Sequence, residues 1–156
     1  SATGGDTNID LNINGKGLGR VTLGAGKIQQ LAEKNTIAAT AATGTINYDV
    51  ITQAVLYYTS AAAGNFTVNF RGDGSNSLNN IMDTNESVTV AFLVTNTGTP
   101  YYNNAVTIDG SAVTPEWQGG SAPSAGNANS VDIYTYTIIK TGDATFTAFA
   151  AQTQFA

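Results

Sequence analysis

The sequence predicts an all-β protein, on three observations. Charged residues make up only 11% of the chain, whereas amphipathic helices need many charges on their exposed faces. Thr, Asn and Gly are abundant, which favours pleated strands joined by turns. Several stretches alternate apolar and polar residues with a period of two, the spacing of a half-buried strand. We therefore predict an antiparallel β-sandwich, jelly-roll-like, preceded by a short N-terminal β-rich segment.

The predicted sandwich covers residues 45–156 and contains seven or eight short strands. In NFTVNFRG, Phe66, Val68 and Phe70 point to one face and the residues between them to the other. ATFTAFAAQ follows a KTGD connection, which predicts a β-hairpin. A single helical turn is expected in SLNNIMDTNES. The other predicted strands are ESVTVAFLVTN, VDIYTYTIIK, TINYDV, TQAVLYYTS and NAVTIDG.

The stretch VDIYTYTIIK differs from the other predicted strands because both of its faces are apolar. Ile133 and Ile139 lie on one face, and Tyr134, Tyr136 and Ile138 on the other. A strand of this kind is expected to be covered on both sides.

Residues 1–44 are predicted to form a separate segment. The chain alternates at Ile9, Leu11 and Ile13 before glycine-rich turns and a second short alternating piece. A two-stranded ribbon is marginal in water by itself, so this segment is expected to pack against other copies or against the sandwich. The Ala/Thr-rich stretch NTIAATAATGT is predicted to be a linker, with the boundary near Gly44.

Two stretches resemble proteins of bacteriophage particles. NIDLNINGKGLGRVTLGAGK resembles shaft segments of tail fibres, in which strand, glycine turn and strand alternate and three chains wind together. The stretch from SLNNIMDTNESVTVAFLVTNTGTPYYNN through EWQGG to ATFTAFAAQTQFA is similar to a C-terminal domain of virion structural proteins from marine, cyanobacteria-infecting and related phages. The shaft phrase is carried here by Ile9, Leu11, Gly15, Gly17 or Gly19, and Val21.

The resemblance implies a homotrimeric β domain on a tail fibre, spike or capsid decoration, made in the host cytoplasm and displayed on the virion surface beside other capsid or tail proteins. It implies no enzymatic activity. Adsorption to host surface polysaccharide through loops is a further expectation.

The composition argues against nucleic-acid binding, membrane insertion and several kinds of catalytic and metal site. The formal net charge is −5, which disfavours nucleic acid, because phosphate backbones are gripped by clustered Lys and Arg. No apolar run approaches the about 20 residues that span a bilayer, so no membrane insertion is expected. The chain has no Cys and no His, which removes thiolate nucleophiles, the usual zinc ligands and Ser-His-Asp catalysis.

Two loops invite a ligand interpretation, and neither meets the pattern. GKGLGRVTLGAGK has Val21 and Ile28 where a phosphate-binding loop needs Gly and Ser or Thr. RGDGSNS has Ser75 and Ser77 where the calcium-loop pattern needs Asp or Asn, and no Glu follows at the required distance. We predict no cofactor and no metal. If a metal were bound, the first carboxylates to consider as its ligands would be Asp73, Asp83 and Glu86.

Three aromatic residues remain as candidate receptor contacts: Tyr101, Tyr102 and Trp117. Exposed rings stack on sugars, and neighbouring amides such as Asn103 and Asn104 would bond to hydroxyls. The favoured interpretation is that Trp117 closes the end of the sandwich or a seam between chains, because a Trp buries on the order of 200 Å².

The leading hypothesis is therefore a virion structural protein without enzymatic activity. The alternatives are a monomeric carbohydrate-binding module and a polysaccharide hydrolase built on a carboxylate pair.

Overall fold

The computed structural model describes residues 31–156 together with Lys16, Gly17, Gly19 and Val21. The chain divides into two compact units, Ser1–Leu31 and Ala32–Ala156. In the first unit, Gly19 N–H donates to Lys16 O at 3.0 Å, a turn that Gly17 permits with its φ of 61°. The remaining residues of the predicted shaft phrase, Ile9 and Leu11 among them, lie outside the described part.

The described residues form ten strands, one short α-helix and one 3₁₀ turn. The helix α1 is a single turn, Leu78–Ile81, as predicted, and the 3₁₀ turn is Gln118–Gly120. The strands are β1 Asn35–Ala41, β2 Gly44–Asp49, β3 Val55–Ala61, β4 Phe66–Arg71, β5 Ser87–Thr95, β6 Asn103–Ile108, β7 Ser111–Val113, β8 Glu116–Trp117, β9 Val131–Gly142 and β10 Thr145–Phe155.

The strands form two sheets. One has six strands in the order β1-β3-β5-β9-β10-β8, and the other has four in the order β2-β4-β6-β7. Over the first six strands the chain passes from one sheet to the other at every connection, so each strand pairs with the strand two places along the chain. The all-β prediction is confirmed.

The antiparallel prediction is wrong, because five of the eight strand pairings among the described residues are parallel. Only β9 with β10, β5 with β9, and β6 with β7 are antiparallel. These pairings are not those of a jelly roll, whose sheets are antiparallel. Alternation along a strand reports which face is buried, and it carries no information about the direction of the neighbouring strand.

The connections between the sheets are stacked arches. Ala63 N–H donates to Ala42 O at 3.0 Å, and Ala62 N–H donates to Thr95 O at 2.9 Å, so the three crossings at this end bond to one another. At the other end Val50 N–H donates to Arg71 O at 3.0 Å. The backbone ladder therefore continues from the strands into the connections.

One consequence is that the predicted linker is a strand. Asn35–Ala41 forms β1 at the margin of the larger sheet, parallel to β3. The boundary expected near Gly44 therefore falls inside the compact unit that begins at Ala32. The Ala/Thr-rich sequence of β1 lacks a strong apolar alternation, which is why it was predicted to be a linker. Most residues of β1 are exposed, as is usual for a strand at the edge of a sheet.

The hairpin joining β9 and β10 also differs slightly from prediction. The expected turn was KTGD, Lys140–Asp143, but pairing continues to Gly142 opposite Thr145. The reversal occurs at Asp143 and Ala144, where Ala144 has a φ of 47°.

Aromatic side chains from the two sheets meet in one core. Phe66 of the smaller sheet lies 5.4 Å from Phe92 of the larger sheet, measured between ring centroids. Phe70 and Tyr136 are closer, at 4.8 Å. All four side chains are buried, so the two sheets pack face to face. Pairs of this kind add about 0.5 to 1.5 kcal/mol beyond the burial of their area.

A polar row crosses the outer face of the smaller sheet. Asn47, Asn69 and Thr107 are in register on β2, β4 and β6. Asn69 Nδ2 donates to Asn47 Oδ1 at 2.8 Å, and Thr107 Oγ1 donates to Asn69 Oδ1 at 2.7 Å. Gly110 N–H donates to the same oxygen at 2.9 Å, so Asn69 joins the strands to the β6–β7 turn.

Replacing Asn69 with Ala is expected to lower the free energy of unfolding by about 1 to 3 kcal/mol, because Gly110 N–H and the neighbouring amide lose their partner. Urea denaturation followed by circular dichroism measures the change. Asn104→Ala, at an exposed position of β6, is the control and should stay within about 0.5 kcal/mol of the parent. Equal effects of the two substitutions would contradict this account of the row.

Candidate functional site

Trp117 is placed by the short strand β8. Its register partner on β10 is Ala150, and that of Glu116 is Phe149. Ala150 is buried, whereas Phe149 is 46% exposed. Since partners in register point to the same face of a sheet, the Trp117 ring lies on the inner face and the Glu116 carboxylate on the outer face.

The Trp117 ring ends a row of aromatic side chains. It meets Tyr136 at 6.2 Å and Tyr134 at 6.5 Å between ring centroids, edge to face in both cases. The two tyrosines stack on each other with an interplanar angle of 16°. Trp117 itself is half-buried, so one edge of the indole packs on the core and the rest borders the surface.

Burial sets the chemistry of the tyrosine pair. Desolvation raises the pKa of Tyr134 and holds that of Tyr136 well above the usual range of a phenol. Tyr136 Oη donates to Asn103 Oδ1 at 3.1 Å, and Asn103 N–H donates to Tyr134 Oη at 3.3 Å. Both phenols are therefore neutral and serve as hydrogen-bonding groups of the core.

Asn103 does not offer the free amide that a ligand-binding interpretation of the aromatic residues would require. The residue is only 2% exposed. Its Nδ2 donates to Phe66 O at 3.0 Å and Ala105 O at 2.6 Å, and its Oδ1 accepts from Tyr136. The amide is occupied by the fold. Asn104 is exposed and lines a cavity next to Trp117.

Tyr101 and Tyr102 lie on the connection between β5 and β6. Asn96 Oδ1 accepts from Tyr101 N–H at 3.0 Å, and Asn65 Oδ1 accepts from Tyr102 N–H at 3.2 Å. Both side chains are half-buried. Neither tyrosine lines the cavities that Trp117 borders. The three candidate residues therefore do not share one of those cavities.

Trp117 borders three shallow cavities. One of about 400 Å³ is mainly polar and is lined by Trp117, Gln118, Ser121, Pro123 and Gln152. A second, of about 290 Å³, is lined by Trp117 together with residues of β6 and β7. A third, of about 310 Å³, lies beside Phe149. The first of these offers an aromatic edge, the Gln118 amide and the Ser121 hydroxyl, which are groups that sugars contact in binding sites. The Gln152 Nε2 already donates to Asp132 and to Ala125 O.

Asp132, which the sequence interpretation overlooked, anchors the long loop after Trp117. It is fully buried. Its Oδ2 accepts from Asn127 N–H at 2.9 Å, Gln152 Nε2 at 3.0 Å and Asn96 Nδ2 at 3.1 Å, and its Oδ1 accepts from Asn127 Nδ2 at 2.7 Å. The signal was present in VDIYTYTIIK, because Asp132 has the same parity as Tyr134.

Lys140 is the corresponding buried cation at the other end of β9. It is 7% exposed, and its Nζ donates to Asn79 O at 2.6 Å and Met82 O at 2.8 Å. These carbonyls lie at the C-terminal end of α1, where a cation is favourable. The N-terminal end of α1 is held by Asp109, whose carboxylate accepts from Leu78 N–H at 2.7 Å and Asn79 N–H at 3.0 Å.

Two of the three carboxylates considered for a metal, those of Asp73 and Glu86, accept hydrogen bonds within local turns. Asp73 Oδ1 accepts from Ser75 N–H at 2.7 Å and Asn76 N–H at 2.8 Å, and these bonds hold the pKa of the Asp73 carboxyl below its usual value. Glu86 Oε2 accepts from Asp83 N–H at 2.8 Å. Within the described ranges, no group of three or more acidic residues could hold a metal ion.

Comparison with known proteins finds no matching family model, curated protein or solved structure. In the part of the chain that the structure describes, no helix is long and apolar enough to cross a membrane.

Replacing Trp117 with Ala is expected to lower the free energy of unfolding by up to about 3 kcal/mol, because the edge-to-face contacts with two buried tyrosines are lost and a cavity opens. Trp117→Phe should recover part of the loss. Thermal melting and urea denaturation give the stability. If Trp117 is a structural residue, binding of a test polysaccharide should weaken only under conditions in which the variant unfolds. Lost binding at unchanged stability would identify Trp117 as a ligand platform.

Alkaline pH should destabilise the protein through the buried tyrosines. The folded state favours the neutral phenol, so the stabilisation is complete below pH about 10 and is lost as the pH rises toward the higher folded-state pKa, by up to about 1.4 kcal/mol per pH unit for each tyrosine. Tyr136→Phe should be less stable near neutral pH, since it lacks the bond to Asn103, but should lose less stability above pH about 10. Urea denaturation across this range measures both effects. Tyr102→Phe, at a half-buried position, is the control; an unchanged alkaline slope in Tyr136→Phe would contradict the assignment.

Proposed function

We propose that the chain is a structural protein of a bacteriophage virion, displayed as a homotrimeric fibre, spike or capsid-surface appendage. The observation that carries this proposal is the use that the fold makes of its buried polar side chains. Asp132 and Lys140 each hold a loop or a helix end, and within residues 31–156 no buried side-chain nitrogen or oxygen lacks a hydrogen-bond partner. Such an interior suits a rigid scaffold.

The phage assignment is supported by the sequence resemblance described above. The scaffold adds a physical argument, because a protein carried on a particle must keep its shape outside the cell. This chain has no Cys, so strength comes from cooperative packing and from assembly. The stacked arches, the aromatic core and the satisfied polar groups are suited to that requirement.

A second candidate function, binding of host polysaccharide, is favoured by the polar cavity beside Trp117. Its lining combines the indole edge with Gln118, Ser121 and Gln152. Gly119 and Gly120 follow Gln118 with φ values of 81° and 80°, so the backbone turns tightly around the rim. As a trimer, the chain would present three such cavities, and multivalent contact raises avidity without new contacts.

The particle itself tests the proposal. Antibodies raised against the purified chain should label particles of the phage that encodes it, seen by immunogold electron microscopy, and mass spectrometry of gradient-purified particles should detect the chain. The infected-cell lysate is the control for expression. Presence in the lysate together with absence from purified particles would overturn the proposal.

A further inference from the structure

The outer face of the six-stranded sheet carries an apolar row across four neighbouring strands. Ile37, Tyr57, Leu93 and Ile133 are in register on β1, β3, β5 and β9. The fifth member, on β10, is Thr153. None of these side chains is fully buried, and Ile37 is 62% exposed. In this unit nothing covers the second apolar face of β9 that the sequence pattern indicated.

Further apolar side chains flank this row. Phe149 and Phe155 on β10 are 46% and 55% exposed, and Val55, Ala91 and Ala151 occupy the row next to Ile133. Most of the other outward positions carry Thr, Ser, Asn or Ala, and Val131 and Ile139 on β9 add two more apolar side chains. From β1 to β10, the outward positions of the paired strands include no charged residue; Glu116 stands at the margin, on β8.

The outer face of the four-stranded sheet is different. On β2 and β4 its rows pair Thr45 with Thr67, Asn47 with Asn69, and Asp49 with Arg71. Arg71 Nε donates to Asp49 Oδ1 at 2.6 Å. This is the polar surface expected of a sheet face in water. The contrast between the two faces of one molecule marks the six-stranded face as a contact surface.

We infer that the outer face of the six-stranded sheet binds further copies of this chain, with the Leu93–Ile133 row turned toward the axis of the trimer. The inference rests on the proposed homotrimer and assigns the surface that forms it. In such a trimer, the outer face of each six-stranded sheet contacts both neighbouring copies. The three sheets then enclose an apolar centre on the threefold axis.

The charge of the chain favours further copies of it as the occupant of this face. The chain has a net charge of −5, so identical copies repel one another unless they meet where charges are absent. The face spans five strands, about 24 Å, and the nine residues of β5, about 30 Å. That is about 700 Å² per copy, or about 350 Å² toward each of the two neighbours in a trimer, and about 2,100 Å² over the three copies.

Size-exclusion chromatography with light scattering tests the assignment on the full chain at micromolar concentration. The parent should elute at three times 16.1 kDa. Ile133→Arg and Phe149→Arg, tested separately, should shift the mass to that of the monomer, because a buried unpaired charge would face its own copies across the axis. Thr45→Arg, on the opposite sheet, is the matched control and should remain a trimer. Circular dichroism verifies that each variant is folded.

A second measurement does not depend on dissociation. Because the chain has no Cys, single nitroxide labels can be placed at Thr135→Cys, an exposed position in the face, and at Thr45→Cys on the other sheet. Pulsed electron spin resonance should give a shorter distance between copies for the label at position 135 than for the label at position 45.

The outcomes separate the two proposals. A parent trimer that persists in the Arg variants, with a label distance at position 135 no shorter than at position 45, overturns the interface and leaves the trimer standing. A parent dimer that the Arg variants dissociate supports the interface and overturns the trimer. A monomeric parent overturns both the interface and the trimer and assigns the face to a different partner. Whether the chain belongs to a virion is decided independently, by immunogold labelling and mass spectrometry of purified particles.

Discussion

The repeated crossing of the chain between two sheets is the constraint on which the rest of the structure depends. Because β1, β3 and β5 lie in one sheet and β2, β4 and β6 in the other, each connection must carry the backbone across the core without leaving its polar groups unpaired. Stacking the arches meets this requirement, since each connection bonds to the next one. Parallel pairing follows directly, and so does the register that aligns Asn47, Asn69 and Thr107.

The core reflects the same arrangement. Aromatic rings on facing sheets interlock, and the phenols of Tyr134 and Tyr136 bring hydroxyl groups into an apolar interior where a lone polar atom would be costly. Asn103 offsets the cost of burying these hydroxyl groups, because it forms hydrogen bonds to both tyrosines and to the backbone of β4 and β6. Trp117 extends the aromatic row to the surface. The partly exposed position of Trp117 therefore results from the way the aromatic core is packed.

The candidate site was predicted in part. Trp117 was identified as an isolated large aromatic residue in a polar loop, and the structure places it against the core with an edge at a polar cavity. Asn103 and Asn104 looked equivalent in the sequence, yet one is buried and the other exposed, because neighbours along a strand point to opposite faces. Asp132 and Lys140 could have been found from their parity with the buried tyrosines. Their partners could not, since Asn96, Asn79 and Met82 lie far away along the chain.

The sequence by itself determined that the chain is built of strands, where most of them lie, and which side of each strand is apolar, because these properties depend on residues one and two positions apart. It also indicated that both faces of β9 require cover. Only the tertiary structure decided that consecutive strands cross between sheets, that most pairings are parallel, and that β1 belongs to the larger sheet. Those choices depend on contacts between residues about 20 or more positions apart, such as Asn35 with Val55, and short-range alternation is the same whichever neighbour a strand selects.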